Sequence, residues 1–405
     1  MGGYGLLGRT LGHSYSPAIH ALLGDYPYAL YEKEPEELEE FLLQGPWDGL
    51  NVTIPYKKAV VPYCQALSPL AKALGSVNTL LRRPDGSLYG DNTDAWGFGQ
   101  MLKPFPCAGK KALVLGSGGA SVTVQQVLRQ AGAEVTVISR RGPDNYDNLA
   151  RHRDARILVN TTPVGMYPKV GVSPVDLREL PGLEAVLDVV YNPVRKKLIL
   201  EAEALGIPHA SGLTMLVGQA ARSSELFTGQ PVAPERLTDT ERRIARSMEN
   251  IILIGMPGSG KTTLGTRLAR KLGRPFADSD ALLAERCGMG AGDYLSRYGE
   301  EAFRSLETQV LEELGKASGL VIATGGGCVT RPENYALLHQ NGTLFFLTRS
   351  LEKLPTKGRP LSGAQGVQAL YEARRASYLA FSDHVISNDG SLDETVKQIL
   401  EVLSQ

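Results

Sequence analysis

The feature that most constrains the fold is a glycine-rich loop at residues 255–262, which reads Gly-Met-Pro-Gly-Ser-Gly-Lys-Thr. It satisfies the pattern G-x-x-x-x-G-K-S/T and lies between a predicted strand at 251–254 and a predicted helix at 262–272. In that setting, backbone N–H groups and the helix N-terminus converge on phosphate oxygens, the lysine reaches the terminal phosphates and the threonine can bind magnesium. Residues 250–405 therefore predict an α/β domain that binds a nucleoside triphosphate.

One domain of ordinary size cannot account for the whole chain. The sequence has 405 residues, whereas a typical domain has about 150. Hydrophobic residues make up 42% of it, which is enough for buried cores and excludes a chain that is disordered throughout. We therefore expect two or three domains, with a boundary in residues 231–249, where two prolines precede a charged stretch that can form one amphipathic helix.

Charge, cysteine content and hydropathy exclude several classes of protein. Lys and Arg number 43 and Asp and Glu also number 43, so the chain lacks the basic excess expected of a nucleic-acid-binding protein. Its four cysteines are spaced too widely for a zinc motif and are too few for a disulfide framework. No apolar run of about 18 residues is present. These observations predict a soluble, cytoplasmic protein without a membrane partner.

Residues 104–205 alternate short apolar runs with helical stretches. Strands are predicted at 112–115, 134–138, 157–160 and 185–190, with helices between them. Such alternation is typical of a parallel, doubly wound sheet that binds a nucleotide.

A glycine turn and two arginines indicate the ligand of this sheet. Residues 116–121 read Gly-Ser-Gly-Gly-Ala-Ser, which is either a variant of the dinucleotide-binding turn or an ordinary turn between strand and helix. Ser139, Arg140 and Arg141 follow the second strand, where an NAD site would place an acidic residue. Two cations at that place favour the 2′-phosphate of NADP.

Three short polar segments stand out in residues 1–103, which lack such a turn. Residues 14–17 offer two serine hydroxyls on one side of a predicted extended segment. Residues 51–57 place Asn, Thr and Lys around a strand end, and Asn78 and Asp94 follow later in the chain. Each segment alone is ordinary, but hydroxyl, amide, lysine and carboxylate groups together suit a small polyhydroxylated substrate.

The C-terminal part carries carboxylates, glycines and arginines beyond its phosphate loop. Asp278 and Asp280 lie on a predicted extended segment, where their spacing directs one carboxylate towards magnesium and the other towards a substrate hydroxyl. Three glycines at 325–327 either permit close approach of a ligand to the backbone or form a simple turn. Several arginines, Arg304 and Arg374 among them, favour an anionic acceptor and a lid.

With these motifs, residues 250–405 resemble a shikimate kinase over nearly their whole length. The resemblance implies ATP as phosphate donor, Lys261 as a catalytic residue, and magnesium near Thr262 and Asp278. It further implies ATP contacts at Gly258, Ser259, Gly260, Lys261, Thr262, Thr263 and the lid arginine Arg359, and shikimate contacts at Asp280, Arg304, Gly325, Gly326, Gly327 and Arg374. The chain departs from the family pattern in a short lid stretch at 348–360, where Pro355 stands near a position that is often basic.

Residues 4–230 resemble a shikimate dehydrogenase through several ordered motifs. The resemblance implies reduction of 3-dehydroshikimate by NADPH, with Lys57 and Asp94 as the catalytic pair. It implies substrate contacts at Ser14, Ser16, Thr53, Asn78, Tyr191 and Gln219, and NADPH contacts at Gly116, Gly118, Gly119, Ala120, Ser139, Arg140, Arg141 and Gly212. Two departures are Ala95 in place of a glycine, and Ser-Arg-Arg at 139–141 in place of the usual Asn-Arg-Thr.

Together the patterns predict an α/β protein of four parts. These are a substrate-binding lobe at 1–103 to which 206–230 returns, a Rossmann NADP domain at 104–205, a linker helix at 231–249 and a P-loop kinase domain at 250–405. The predicted function is a fusion of two successive steps of aromatic amino-acid biosynthesis, in which the first part makes a hydroxyl that the second part phosphorylates. We expect small-molecule substrates and a homodimer through the dehydrogenase part.

Two other functions fit parts of the pattern. One is a quinate/shikimate dehydrogenase that prefers NAD, which Arg140 and Arg141 disfavour. The other is a non-catalytic sensor of pathway metabolites, which would be expected to lose catalytic groups or to gain a DNA-binding element. Lys57, Asp94 and Lys261 are all present and no basic patch accompanies them, so the pattern favours an enzyme.

Overall fold

The computed structural model describes residues 3–12, 14–167, 169–354 and 366–404. Contacts between residues divide the chain into two units. The first unit consists of residues 1–164, 173–192 and 201–245, and the second of residues 165–172, 193–200 and 246–405. Within the described ranges, no helix combines the length and the apolar character needed to cross a bilayer.

The first unit begins with a mixed sheet of six strands. They are β1 (Gly3–Gly8), β2 (Tyr28–Glu32), β3 (Trp47–Val52), β4 (Ala66–Leu67), β5 (Thr79–Arg82) and β6 (Leu88–Asp91). Their order across the sheet is β2-β1-β3-β5-β6-β4. The helices of this part are α1 (Ser16–Leu23), α2 (Leu38–Gln44), α3 (Pro69–Leu74) and α4 (Asp94–Leu102).

The antiparallel pairing in this sheet brings three separate segments to one edge. β5 runs antiparallel to both β3 and β6, with Asn51 opposite Thr79 and Thr79 opposite Asp91. The end of β3, the start of β5 and the end of β6 therefore share an edge. Thr53 directly follows β3, Asn78 directly precedes β5, and Asp94 comes three residues after the end of β6. Their side chains therefore lie in one neighbourhood.

The rest of the first unit is built on a parallel sheet. Its strands are β7 (Lys111–Leu115), β8 (Glu134–Ile138), β9 (Ile157–Asn160), β10 (Ala185–Asp188) and β11 (His209–Ser211), in the order β11-β10-β9-β7-β8. The helix after β7 is α5 (Gly119–Gln130), and β10 is followed by α6 (Lys197–Ala204), whose residues 197–200 are assigned to the second unit. The predicted doubly wound sheet is confirmed, with small differences at the strand ends. The next helix, α7 (Leu213–Thr228), packs against α1, α4, β3 and β5.

The second unit is built on another parallel sheet. After the helix α8 (Pro234–Met248), its strands are β12 (Asn250–Ile254), β13 (Phe276–Asp278), β14 (Val321–Ala323), β15 (Gly342–Thr348) and β16 (His384–Ser387), in the order β13-β14-β12-β15-β16. Its helices are α9 (Lys261–Leu272), α10 (Ser279–Cys287), α11 (Ala291–Lys316), α12 (Glu333–His339), α13 (Val367–Phe381) and α14 (Leu392–Ser404). The glycine-rich loop joins β12 to α9, as the sequence predicts.

The apolar run of β12 explains why this sheet is covered on both faces. Ile252 and Ile254 lie in one buried cluster, whereas Ile251 and Leu253 lie in another. Alternate side chains of a strand point to opposite faces, so a strand that is apolar throughout needs helices on both sides. Each of these side chains is at most 1% exposed, and burial of one such side chain stabilises the fold by about 1.5–3 kcal/mol.

The prediction of extended backbone is wrong at residues 15–16, and in the segment 278–280 it holds only for Asp278, which ends β13. Ser16 is the first residue of α1, and Tyr15 before it already has helical dihedral angles of φ −80° and ψ −6°. Asp280 lies in the first turn of α10, and Asp278 caps that helix by accepting hydrogen bonds from the backbone N–H groups of Asp280 and Ala281 at 3.0 and 3.3 Å. Both segments are helix N-termini, where Ser and Asp are favoured just as they are in loops.

Candidate active sites

The first unit contains a cavity of about 450 Å³ at the shared edge of its mixed sheet. The strand ends supply its lysine and amide groups, α4 supplies a carboxylate and α7 supplies a glutamine. All the residues predicted to bind 3-dehydroshikimate line the cavity, namely Ser14, Ser16, Thr53, Asn78, Tyr191 and Gln219. So does the predicted catalytic pair, Lys57 and Asp94. Gly212, which the sequence assigned to NADPH, lines the same cavity.

Lys57 and Asp94 form an ion pair in this cavity. The Nζ atom of Lys57 donates to Oδ2 of Asp94 at 2.6 Å, and Nδ2 of Asn78 donates to Oδ1 of the same carboxylate at 2.9 Å. The two side chains of the pair are 31% and 18% exposed, so a substrate can reach them. Asp94 is also the first residue of α4, where the helix dipole favours a negative charge. The pair is therefore held in place before any ligand binds.

A buried hydrogen-bond network supports the cavity from behind. Asn51, which lines the cavity, donates to Oγ of Ser223 at 2.7 Å and accepts from the hydroxyl of Tyr28 at 2.7 Å. The hydroxyl of Thr79 lies 2.9 Å from Oγ of Ser223 and donates to Oδ1 of Asn78 at 3.2 Å. These bonds couple the orientations of Asn51 and Asn78.

The two serines of the cavity are held by the start of α1. The backbone N–H of Ser16 donates to Oγ of Ser14 at 3.2 Å. Between them, the ring of Tyr15 meets the ring of Tyr191 edge-on, with centroids 6.1 Å apart. Burial, and then the neighbouring Tyr15, raise the pKa of Tyr191, so its hydroxyl stays protonated at neutral pH and can donate a hydrogen bond to a ligand.

A second cavity of the first unit, of about 710 Å³, lies at the carboxyl ends of the parallel strands. Of the residues predicted to bind NADPH, those that line it are Gly116, Gly118, Ser139 and Arg140. Gly116 has φ +100°, and a Cβ atom there would lie 2.9 Å from Cγ2 of Thr162, so the tight turn requires glycine. The predicted residues that do not line it are Gly119, Ala120, Arg141 and Gly212.

The second unit contains a cavity of about 550 Å³ around the glycine-rich loop. The predicted residues that line it are Gly258, Gly260, Lys261, Thr262, Thr263, Asp278, Asp280, Arg304, Gly325, Gly326, Gly327 and Arg374. Ser259 does not line the cavity, because its side chain is fully buried. Arg359 and Pro355 lie outside the described residues, as does the whole part of the predicted lid after residue 354.

At the loop, lysine and threonine side chains contact protein oxygens. Nζ of Lys261 donates to the carbonyl oxygens of Gly255 and Met256 at 2.8 and 3.0 Å. The hydroxyl of Thr262 donates to Oδ2 of Asp278 at 2.6 Å. Hydroxyl and carboxylate oxygens are the donors that Mg²⁺ prefers, so this pair fits a magnesium ion. Among the described residues, no group of three His, Cys, Asp or Glu side chains is arranged to hold a metal by itself.

On the other side of the cavity, buried charges surround the three glycines. Nη1 of Arg304 donates to Oε2 of Glu307 at 2.7 Å, and these side chains are only 7% and 2% exposed. Burial raises the pKa of Glu307 although Arg304 opposes the shift. Burial likewise raises the pKa of Asp280, against the opposing effect of Lys261.

The glycines leave room for these charged groups. A Cβ atom on Gly325 would lie 2.6 Å from Oδ1 of Asp280 and 2.7 Å from Oε1 of Glu307. A Cβ atom on Gly327 would lie 1.9 Å from Nη1 of Arg304. A side chain at either position would displace the charged groups, so close approach to the backbone, rather than a simple flexible turn, accounts for these glycines.

Comparison with known proteins identifies the two units. Residues 6–80 match the family model of the shikimate dehydrogenase substrate binding domain, and residues 212–237 match that of the shikimate 5'-dehydrogenase C-terminal domain. A shikimate dehydrogenase (NADP(+)) from Clostridium perfringens is 35% identical over 250 residues, covering 56% of this chain and 92% of that relative. The chain belongs to the shikimate dehydrogenase family. Residues 257–404 match the family model of shikimate kinase, so the chain joins a shikimate dehydrogenase to a shikimate kinase.

Solved structures agree with the fold of the dehydrogenase part. A shikimate 5-dehydrogenase from Thermus thermophilus, in complex with NADP(H) and shikimate, has a TM-score of 0.54 and 34% identity, covering 60% of this chain and 99% of that one. A quinate dehydrogenase from Corynebacterium glutamicum, in complex with NAD, has a TM-score of 0.54 and 28% identity, covering 58% of this chain and 97% of that one.

Some residues of the dehydrogenase and kinase cavities were missed by the sequence analysis. Asn51 lies in the motif at 51–57 but was not assigned a contact, and Glu307 lies one helical turn after Arg304 on α11. The sequence could have indicated both residues. Asn51 is two residues from Thr53 and Glu307 is three residues from Arg304, and these spacings place side chains on the same face of a strand or a helix. Tyr146 in the dinucleotide cavity lies outside every recognised motif, and Arg349 in the kinase cavity lies in the predicted lid stretch at 348–360 but was assigned no contact.

Proposed function

We propose that the dehydrogenase part reduces 3-dehydroshikimate to shikimate with NADPH, and that the kinase part phosphorylates shikimate to shikimate 3-phosphate with ATP. The observation that carries the proposal is that each cavity is lined by polar side chains of its assigned motifs, with Lys57 beside Asp94 in one and Lys261, Thr262 and Asp278 in the other. The product of the first reaction is the acceptor of the second, so each assignment supports the other.

For the reduction, we propose that Lys57 delivers the proton and Asp94 positions it. NADPH, when bound, supplies a hydride to the carbonyl carbon. The ammonium group of Lys57 then gives its proton to the oxygen that receives the negative charge, while the carboxylate of Asp94 holds that ammonium group and accepts from the substrate hydroxyl. The serines at 14 and 16, with Thr53, Asn78, Tyr191 and Gln219, orient the substrate against this pair.

For the cofactor, we propose NADP rather than NAD. Arg140 lines the cavity at the carboxyl ends of the parallel strands, and Arg141 follows it. A guanidinium group there can pair with the 2′-phosphate that distinguishes NADP. The turn at Gly116 packs so closely against Thr162 that only glycine fits there, whereas a Cβ atom on Gly118 would meet nothing within 4 Å. A tight glycine turn of this kind can bring backbone N–H groups close to a pyrophosphate.

For the phosphoryl transfer, we propose that the glycine-rich loop and Lys261 bind the phosphates of ATP. Mg²⁺, when bound at Thr262 with Asp278 nearby, neutralises phosphate charge. Asp280 accepts from a ring hydroxyl of shikimate, and Arg304 and Arg374 pair with its carboxylate. The transfer then depends on alignment of the acceptor hydroxyl with the terminal phosphate rather than on covalent chemistry by the protein.

Two assays on the purified intact chain test this function. NADPH should be oxidised with 3-dehydroshikimate, and ATP should be consumed with shikimate and Mg²⁺. Absence of both activities under reducing conditions would leave the metabolite sensor as the better account. Comparing NADP with NAD on shikimate and on quinate tests the other alternative, which would be favoured by a preference for NAD and quinate.

We also propose a cytoplasmic setting and a homodimer through the dehydrogenase part. The four cysteines are all free in the structure, which is compatible with a reducing compartment. Light scattering on the full chain, and on a chain that ends after residue 249, would show whether a dimer forms and whether the dehydrogenase part suffices.

A further inference from the structure

Arg349 is a cation beside the phosphate loop to which the sequence patterns assign no ligand contact. It directly follows β15, which is the neighbour of β12 in the parallel sheet, with Phe346 opposite Ile254. Both strands therefore end at the same edge, where β12 continues into the glycine-rich loop at 255–262. This register places Arg349 in the wall of the kinase cavity.

The guanidinium group of Arg349 touches the loop but leaves donors unused. Nη1 lies 3.5 Å from the carbonyl oxygen of Gly258 and 3.9 Å from the position that a Cβ atom of Gly260 would take. Nε is buried and has no hydrogen-bond partner in the described part of the chain. A guanidinium group has five N–H donors, and a buried donor without a partner is costly. The geometry thus leaves this group with capacity for an anion.

The backbone around Arg349 is fixed to the loops on both sides. The backbone N–H of Ser350 donates to Oδ1 of Asp389 at 2.9 Å, and that of Asn388 donates to the carbonyl oxygen of Thr348 at 2.9 Å. Nδ2 of Asn388 also donates to the carbonyl oxygen of Ser259 at 2.6 Å. These bonds connect the segment that carries Arg349 to the phosphate loop itself, so little ordering would be needed when a ligand binds.

The other cations of the cavity already contact protein oxygens. Arg304 pairs with Glu307 at 2.7 Å, Arg374 donates to the carbonyl oxygen of Gly326 at 3.0 Å, and Lys261 donates to carbonyl oxygens of its own loop. Among the ion pairs of the described residues, none contains Arg349. It is therefore well suited to a group with several anionic oxygens that lies along the loop.

We propose that Arg349 binds the phosphate chain of the nucleotide and holds it against the 258–260 turn. This inference rests on the proposed kinase function and adds a binding residue outside the glycine-rich loop. A charge-assisted, two-pronged contact between guanidinium and phosphate is geometrically favoured and stronger than a contact with a lysine.

The test is calorimetric titration of ADP into the intact chain, its Arg349→Gln and Arg349→Lys variants, and the control Arg286→Gln. Arg286 is a half-exposed arginine of the same unit that pairs with Glu313 and does not line the cavity. We expect Arg349→Gln to weaken ADP binding about ten- to a hundredfold, with a smaller loss for Arg349→Lys and no change for Arg286→Gln. The dependence of ADP affinity on salt concentration should also become shallower in Arg349→Gln, because one phosphate contact is lost.

Two further measurements separate binding from folding. The dissociation constant of shikimate and the melting temperature should be unchanged in Arg349→Gln, and NADPH oxidation by the same chain should continue at the wild-type rate. If Arg349→Gln bound ADP with an affinity within about twofold of the wild type, the inference about Arg349 would be overturned, but the proposed kinase function would not. A loss of shikimate binding and of melting temperature together would assign Arg349 a structural role and also overturn it. Failure of the wild-type chain to bind ADP would overturn the kinase proposal as well.

Discussion

The two candidate active sites differ in how far they are organised before a ligand binds. In the dehydrogenase cavity, Lys57, Asp94 and Asn78 already contact one another at 2.6 and 2.9 Å, in the arrangement that we propose for catalysis. In the kinase cavity, Lys261 points at the carbonyl oxygens of its own loop, and burial raises the pKa of Asp280.

This difference follows from what each site has to bind. A dehydrogenase site that binds a small acceptor can use fixed side chains, since the nicotinamide supplies the reactive hydride. A kinase site receives several negative charges with its nucleotide. When the nucleotide and acceptor bind, the cations and carboxylates of the site leave their protein partners and contact groups of the ligands. We therefore expect substitutions in the first cavity to act mainly on the rate, and those in the second to act more on binding and on pH dependence.

The largest effect is expected from Lys57→Ala. Loss of the proton donor should lower kcat for reduction of 3-dehydroshikimate by about 10²–10⁴-fold, while ATP consumption with shikimate stays at the wild-type rate. The matched control is Lys58→Ala, since Lys58 is the exposed neighbour of Lys57. If both variants lowered the rate equally, Lys57 would have no special role.

A comparable loss in the other unit is expected from Lys261→Ala. Removal of the phosphate-binding lysine should reduce kinase activity by about 10²–10³-fold and leave NADPH oxidation unchanged. Lys271→Ala, an exposed change at the end of the same helix α9, serves as control. A single substitution that silenced both activities would contradict the idea of two independent sites.

An intermediate, pH-dependent effect is expected at Asp280. Burial raises its pKa above the usual value of 3.8, and we propose that the ionised form accepts from shikimate. Calorimetry should therefore show shikimate affinity falling as the pH drops from 7 through this raised pKa. In Asp280→Asn, affinity should be about tenfold weaker at pH 7 and should lose the part of the pH dependence that Asp280 contributes.

The raised pKa of Asp280 has the opposite consequence for the stability of the fold. Because its pKa is higher in the folded than in the unfolded chain, the folded state binds the proton more tightly, and ionised Asp280 destabilises the fold at neutral pH. That destabilisation disappears as the pH falls through the raised pKa. Asp280→Asn should thus raise the melting temperature of the kinase part at pH 7 while weakening shikimate binding; a lower melting temperature would contradict this assignment.

The smallest effect is expected from Tyr28→Phe in the dehydrogenase part. Without the hydroxyl, Oδ1 of Asn51 loses a hydrogen bond of 2.7 Å, and we expect KM for shikimate to rise several-fold with kcat little changed. Tyr26→Phe is the control, because the hydroxyl of Tyr26 bonds to buried His20 and not to Asn51. Equal KM values in the two variants would show that the network stabilises the fold without positioning the substrate.

The sequence predicted the parallel sheets well because their central strands are buried on both faces and carry continuous apolar runs, as in β7 and β12. β8 and β9 have the predicted bounds of 134–138 and 157–160, and the loop at 255–262 lies between strand and helix as its pattern requires. The helix starts at Ser16 and Ser279 were harder to predict, because residues that cap a helix also favour turns.

Site residues could be predicted where a local motif or a family resemblance marks them. They were missed where their position depends on which strands are neighbours in the sheet. Lys57 and Asp94 were assigned through a family resemblance, and the structure brings them together across an antiparallel sheet. Arg349 was missed because its proximity to Gly258 depends on β15 lying next to β12, which no local pattern indicates. Its own segment contains no glycine turn or repeated charge to mark it.

The tight fit around Gly327 has a consequence for acceptor selectivity in the kinase part. The guanidinium group of Arg304 lies where a Cβ atom of Gly327 would stand, so any larger residue at 327 would push Arg304 out of its place. The course of the main chain after β14 therefore decides where Arg304 sits in the proposed acceptor pocket. Evolution or engineering towards a larger acceptor would have to change lining side chains such as Leu295 of α11, because the glycines cannot be enlarged without moving Arg304.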